Sequence, residues 1–123
     1  MNAQELNAVL PQFTGTENYY YHSKFLVLTD GVKFLADNAG AYWLMDIISS
    51  VMYKPTILRE PFLTVNVKKN KTGKGAVVRI QNGDGKDFYV QRIKWTDFPM
   101  TDYTFFLEDS YRGYHVALLQ TEH

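Results

Sequence analysis

The stretch AGAYWLMDIISSVM, Ala39 to Met52, decides the fold. Leu44, Ile47, Ile48 and Val51 stand at i, i+3, i+4 and i+7, the spacing of one helix face. Trp43 pairs with Ile47 on the edge of that stripe. Asp46, Ser49, Ser50 and Tyr53 leave only a narrow polar face. Asn38 is placed to cap the start, and Pro55 prevents continuation. A helix this apolar needs a layer to cover it.

The residues downstream supply that layer. Phe62 to Lys68 alternates, with Leu63, Val65 and Val67 on one face. Asn70 to Gly75 is a polar loop, and Ala76 to Ile80 returns from it. Asn82-Gly83-Asp84-Gly85 is a tight turn before a strand over Phe88 to Ile93. Trp95 to Met100 is a non-repetitive link containing Pro99. Tyr103 to Leu107 and Tyr114 to Leu119 are strands around a turn at Asp109 to Gly113. Short consecutive strands joined by short turns predict an antiparallel meander.

Upstream, Leu6, Val9 and Leu10 predict a short N-terminal helix over Ala3 to Leu10, stopped by Pro11. Phe13 to Glu17 reads as a turn and Asn18 to Leu28 as a strand. Two readings compete for the residues from Asp30 to Asn38. Asp30-Gly31 is a favoured hairpin pair, with Val32 to Leu35 as the return strand. Alternatively Asp30 caps a helix, because Val32, Leu35, Ala36 and Ala39 keep helical spacing. The hairpin is preferred, since Phe25 to Leu28 leads straight into the pair. The expected architecture is α+β: a single domain over 1–123, an antiparallel sheet packed on the 39–52 helix.

Composition agrees. A chain of 123 residues, 46% apolar and 21% charged, fits one folded domain and excludes a disordered chain. The absence of cysteine excludes disulfides, thiolate metal sites and cysteine nucleophiles. No apolar run approaches the roughly 20 residues of a membrane span, and Met1 to Leu10 does not read as a signal peptide. The expected compartment is the cytoplasm, with no membrane partner.

Several segments carry a resemblance: FTGTE at 13–17, TDGVKFLA at 29–36, AGAYWLMD at 39–46 and TDFPM at 96–100. In this order the chain resembles an uncharacterised family of small bacterial proteins associated with phages, plasmids and other mobile elements. The similarity spans nearly the whole chain and is densest from Thr29 to Asp46. It implies a single domain and an accessory role, such as inhibiting a host defence system. It implies no activity.

Formal net charge is zero, but its distribution is uneven. Eight basic residues lie between Asn66 and Trp95, against only Asp84 and Asp87. Lys68, Lys69, Lys71 and Lys74 gather at one hairpin, with Arg79, Arg92 and Lys94 on neighbouring strands. Phe88, Tyr89 and Trp95 are interleaved, as nucleic-acid binding would use them. The neutral balance and the acidic stretch from Asp97 to Asp109 oppose that reading, and lysines at a hairpin tip also keep sheet edges soluble. Tyrosines are the second anomaly. Tyr19, Tyr20 and Tyr21 are consecutive, so alternation separates them between two faces. Tyrosine favours recognition surfaces, though aromatics at the rim of a core are equally compatible.

Catalytic signals are weak. His22, His115 and His123 have no ligand spacing, so no metal is expected. The glycines lie between strands and form no phosphate loop, so no cofactor is expected. No nucleophile motif occurs. Asp30 with Asp46, or Asp97 with Asp102, could form a carboxylate pair, though turn and helix-face roles explain each better; His22 with Asp30 or Asp46 is the basis of a small hydrolase as a third reading. The leading expectation is a non-enzymatic binding protein using Tyr19, Tyr20, Tyr21, His22, Asp30 and Asp46. Its partner would be another protein or a small ligand, and a homo-oligomer is compatible. The alternative is a nucleic-acid-associated protein using the basic hairpin region.

Overall fold

A computed structural model describes residues 1–123. Seven strands form one open sheet: β1 (Tyr19–Ser23), β2 (Leu26–Thr29), β3 (Phe62–Lys69), β4 (Ala76–Asn82), β5 (Asp87–Ile93), β6 (Asp102–Asp109) and β7 (His115–Leu118). Their order is β1-β2-β7-β6-β3-β4-β5. Every pairing is antiparallel except β2 with β7. The helices are α1 (Ala3–Val9), α2 (Asp30–Asn38), α3 (Tyr42–Met52) and α4 (Pro55–Leu58). The class is α+β, as the sequence predicts. No helix is long and apolar enough to cross a membrane.

Alternation explains the layers. Leu63, Val65 and Val67 of β3 are buried, as are Ala76, Val78 and Ile80 of β4, and Phe105 and Leu107 of β6. They join Leu44, Met45, Ile48, Val51 and Met52 of α3 in one cluster of 27 buried residues. Trp43 and Ile47 are half-buried at the margin of that core, Trp43 meeting Phe98 edge-on at 6.2 Å. Strand residues of the opposite parity, among them Val27, Thr64, Phe106 and Val116, form a half-exposed outer face, on which the C-terminal His123 packs against Phe62 and Phe106.

Three local expectations change. The Asp30-Gly31 hairpin does not form. Asp30 is instead the first residue of α2, and the Thr29 hydroxyl caps the helix by accepting from Val32 N–H at 3.3 Å. A polar Thr at the cap and an acid in the first turn suit a helix start. Burial of Val32, Leu35 and Ala36 then follows helical spacing. Residues 32–35 are therefore helix. The hairpin lies one step earlier, where Lys24-Phe25 turns β1 into β2, so residues 18–28 are two strands.

The second change concerns the start of the main helix. Gly40 has φ 59°, and Ala41 N–H donates to Ala36 C=O at 3.0 Å. That is a Schellman stop for α2, with buried Ala36 and Ala41 as its apolar contact. The main helix thus starts at Tyr42, and Asn38 bonds back to Phe34 C=O and caps nothing. Third, the sheet is not one continuous meander: β1-β2, β3-β4-β5 and β6-β7 run as simple hairpins. The link holding buried Phe98 and Met100 carries β6 back to the far side of β3. β7 then inserts between β6 and β2.

Candidate functional site

β1 is a sheet edge, and its residues divide between two faces. Tyr19 and Tyr21 stand on the outer face, 63% and 78% exposed. Tyr20 and His22 turn toward α2 and α3. Tyr20 donates its hydroxyl to Asp30 Oδ1 at 3.0 Å. Asp30 Oδ2 accepts Glu17 N–H at 2.8 Å, and Asp30 N–H donates to Thr16 Oγ1 at 2.8 Å. The Glu17 amide, more than any other group, holds the Asp30 carboxyl below its ordinary range, and donation to that carboxylate pushes the Tyr20 phenol up.

His22 Nε2 lies 2.9 Å from Asp46 Oδ1, and its ring stacks on Tyr42 with centroids 6.2 Å apart. Tyr42 donates to Asp37, and Lys33 Nζ donates to both Asp37 oxygens at 2.9 and 2.8 Å and to Tyr42 Oη at 2.8 Å. The Asp37 and Tyr42 hydrogen bonds raise the Lys33 ammonium's pKa, and Lys33 in turn holds Asp37 down. Lys33, Asp37 and Tyr42 were not among the candidate residues from sequence. Their signal is the i, i+4 spacing of Lys33 and Asp37, visible only once 30–38 is read as helix.

The polar groups of this cluster are bonded to one another. Asp46 is 73% exposed at its side chain, so His22 is paired at the rim of the molecule. The Ser23 and Ser49 hydroxyls bond each other at 2.8 Å. Its bonds to Asp37 and Tyr42 favour the cationic form of Lys33. The bonds pin β1 from behind against α2 and α3.

A cleft of about 520 Å³ opens on the outer face beside Tyr19. Tyr114, Val116 and Leu118 line it, with Glu108 and Arg112. Tyr111, in the β6–β7 turn that also carries Arg112, is 84% exposed at φ 60°, a left-handed conformation that side chains rarely adopt. At the other end of the cleft sits Glu122. Its Oε1 accepts Thr29 Oγ1–H at 2.7 Å and Leu119 N–H at 2.9 Å, and its Oε2 accepts Gly31 N–H at 3.1 Å. This latch holds residues 119–122 on the N-terminus of α2. In this arrangement it leaves room only for a glycine, because a Cβ at position 31 would lie 2.6 Å from both Glu122 Oε1 and Leu119 Cδ1 and those side chains would have to shift.

The basic residues occupy the other end of the sheet. Arg79 is committed to Asp87 at 3.1 Å, and Lys69 is half-buried with its N–H on Thr101 C=O. Lys68, Lys71, Lys74, Arg92 and Lys94 are exposed, and none forms an ion pair. Lys68 does face Asp102 across β6, but the Asp102 carboxylate is bonded by Asn66 Nδ2 at 2.7 Å.

A family model matches residues 4–123. The chain belongs to DUF6876, a family of unknown function. No curated protein and no solved structure matches it. The DUF6876 match covers the cluster behind β1, the cleft, the latch and the basic hairpin alike.

Proposed function

We propose that the protein is a non-enzymatic binding module that takes an extended segment of a partner protein onto β1. The carrying observation is the contrast between the two edges of the sheet. Edge strands present unpaired backbone donors and acceptors and are normally blunted by charge. β5 is blunted, with Asp87 and Arg92 inside the strand and Lys86 and Lys94 flanking it. β1 reads YYYHS, without a Lys, Glu, Asp or Pro inside the strand and with Lys24 as its one flanking cation, and is fixed from behind by the Asp30 and Asp46 contacts. An added strand would gain main-chain hydrogen bonds, with alternate side chains beside Tyr19, Tyr21 and the adjoining cleft. Tyrosines there supply large contact area at low rotamer cost.

The resemblance to mobile-element proteins supports a host protein as that partner, encountered in the cytoplasm, and an accessory role such as anti-defence. Panning a random 12-residue peptide library on the full chain tests the binding mode. Enriched peptides should alternate apolar and polar residues, and should lose binding to Tyr19→Lys/Tyr21→Lys, which places cations on the exposed edge without touching the core. Peptides that bind this variant unchanged refute the β1 reading. Self-association abolished by the same variant would replace the foreign partner with a second copy of the chain.

A further inference from the structure

The basic end of the sheet is spatially separate from β1 and carries its own chemistry. Lys68 and Arg92 stand on the outer face in one cross-strand row, on either side of Val77. Two strand spacings of about 4.8 Å put their backbones roughly 10 Å apart. Beyond that row lies the 70–75 hairpin tip, which is internally ordered. Asn70 N–H donates to Gly75 C=O at 2.9 Å, Thr72 Oγ1–H donates to Asn70 Oδ1 at 2.7 Å, and Lys74 N–H donates to Thr72 Oγ1 at 3.2 Å. The tip is also bonded to the link after β5, because Thr96 N–H donates to Lys74 C=O at 2.7 Å. That bond holds Lys74 beside the Lys94-Trp95 pair. Trp95 is 69% exposed, whereas the other tryptophan, Trp43, packs on Phe98.

From sequence, the acids between Asp97 and Asp109 weigh against an anionic ligand. The fold weakens that objection. Glu108 lies six residues along β6 from Asp102, roughly 20 Å at about 3.3 Å per residue. That is about two Debye lengths at moderate salt, so Glu108 and Asp109 are screened from the tip. Only Asp97 and Asp102 remain near, two carboxylates against five cations. Five cations without an ion pair and one exposed indole share this end of the sheet.

We propose that this end of the sheet binds single-stranded nucleic acid, with Trp95 stacking on a base and Lys68, Lys71, Lys74, Arg92 and Lys94 contacting phosphates. A flat indole takes any base, and a flexible single strand can bring its phosphates to a short convex tip where a rigid duplex touches few of them. The site is independent of the β1 reading and can fail or hold without it.

The test is a fluorescence titration of the full chain with dT12, rU12, a 12-base-pair duplex and inorganic polyphosphate. At about 50 mM salt, single strands should bind with a Kd on the order of 10 μM and quench Trp95 emission. Five phosphate contacts give a log–log salt slope of about −3.5 for a single strand. Trp95→Ala should weaken single-strand binding on the order of tenfold and leave polyphosphate binding unchanged. Lys71→Gln/Lys74→Gln should reduce the slope by about 1.4. The substituted side chains are exposed, and an unchanged circular dichroism spectrum confirms folding. Comparison of dT12 with rU12 distinguishes DNA from RNA as the source. No binding, tighter binding to the duplex, or equal loss of single-strand and polyphosphate affinity in Trp95→Ala would overturn the proposal.

Discussion

Gly31→Ala should destabilise the protein, against the ordinary behaviour of that substitution in a helix. Replacing a helical glycine with alanine usually stabilises by up to about 1 kcal/mol, because it restricts the unfolded chain. At position 31 φ is not positive, so the backbone itself raises no objection. The new Cβ, however, would sit 2.6 Å from Glu122 Oε1, 2.6 Å from Leu119 Cδ1 and 2.8 Å from Glu122 Cδ. Relief requires the Glu122 and Leu119 side chains to move. That movement would strain or break three hydrogen bonds to the Glu122 carboxylate, whose donors are the Thr29 hydroxyl and the Leu119 and Gly31 amides. Hydrogen bonds to a charged group contribute about 1.5–3 kcal/mol each when well desolvated, and they are not additive. Glu122 is only half-buried, so about 2 kcal/mol for the whole latch is the reasonable magnitude. Glu122→Ala should cost about the same, including its favourable interaction with the N-terminus of α2. The double variant should cost less than the sum of the singles by about 1 kcal/mol or more, since both lose one contact set. Urea unfolding followed by circular dichroism measures all three. A neutral or stabilising Gly31→Ala, or strictly additive singles, would show that the latch is open in solution.

Ile48→Ala removes a fully buried side chain of α3 and should cost about 2–5 kcal/mol in the same titration; a loss under about 1 kcal/mol would place that helix face in solvent. Tyr103, pushed up to about 12 by burial with the Glu122 charge adding to it, should make stability fall as pH rises. Between pH 10 and 12 the folded state keeps a proton that the unfolded state releases, so its contribution is complete below about 10 and lost above the folded value. Tyr103→Phe should flatten alkaline unfolding between those limits, and an unchanged profile would refute the assignment.

What the sequence reveals depends on how local each signal is. The stripe of Leu44, Ile48 and Val51 and the alternation of β3 and β4 repeat within one element, so they are legible from spacing alone. The turn at Lys24-Phe25 has none of the usual turn residues, which is why β1 and β2 read as one strand. Asp30-Gly31 carries two local signals, and the Thr29 cap with buried Val32 and Leu35 outweighs the hairpin dipeptide. Tyr20, His22, Asp30 and Asp46 were legible as reactive or polar residue types, but their convergence depends on α2 and α3 crossing behind β1. Tyr19 and Tyr21 fall on the opposite face because side chains alternate along a strand. Glu122 and Gly31 are 91 residues apart, and no pattern in the chain announces a contact at that range.

The insertion of β7 between β2 and β6 bears on synthesis. A ribosome delivers β1, β2 and the helices first, then the antiparallel block β3 to β6. Until residues 115–118 emerge, these two blocks share no strand pairing, and the edges of β2 and β6 that β7 will occupy stand open. Sheet closure is therefore held back until that point, and an interrupted chain exposes two sticky edges in place of one finished sheet.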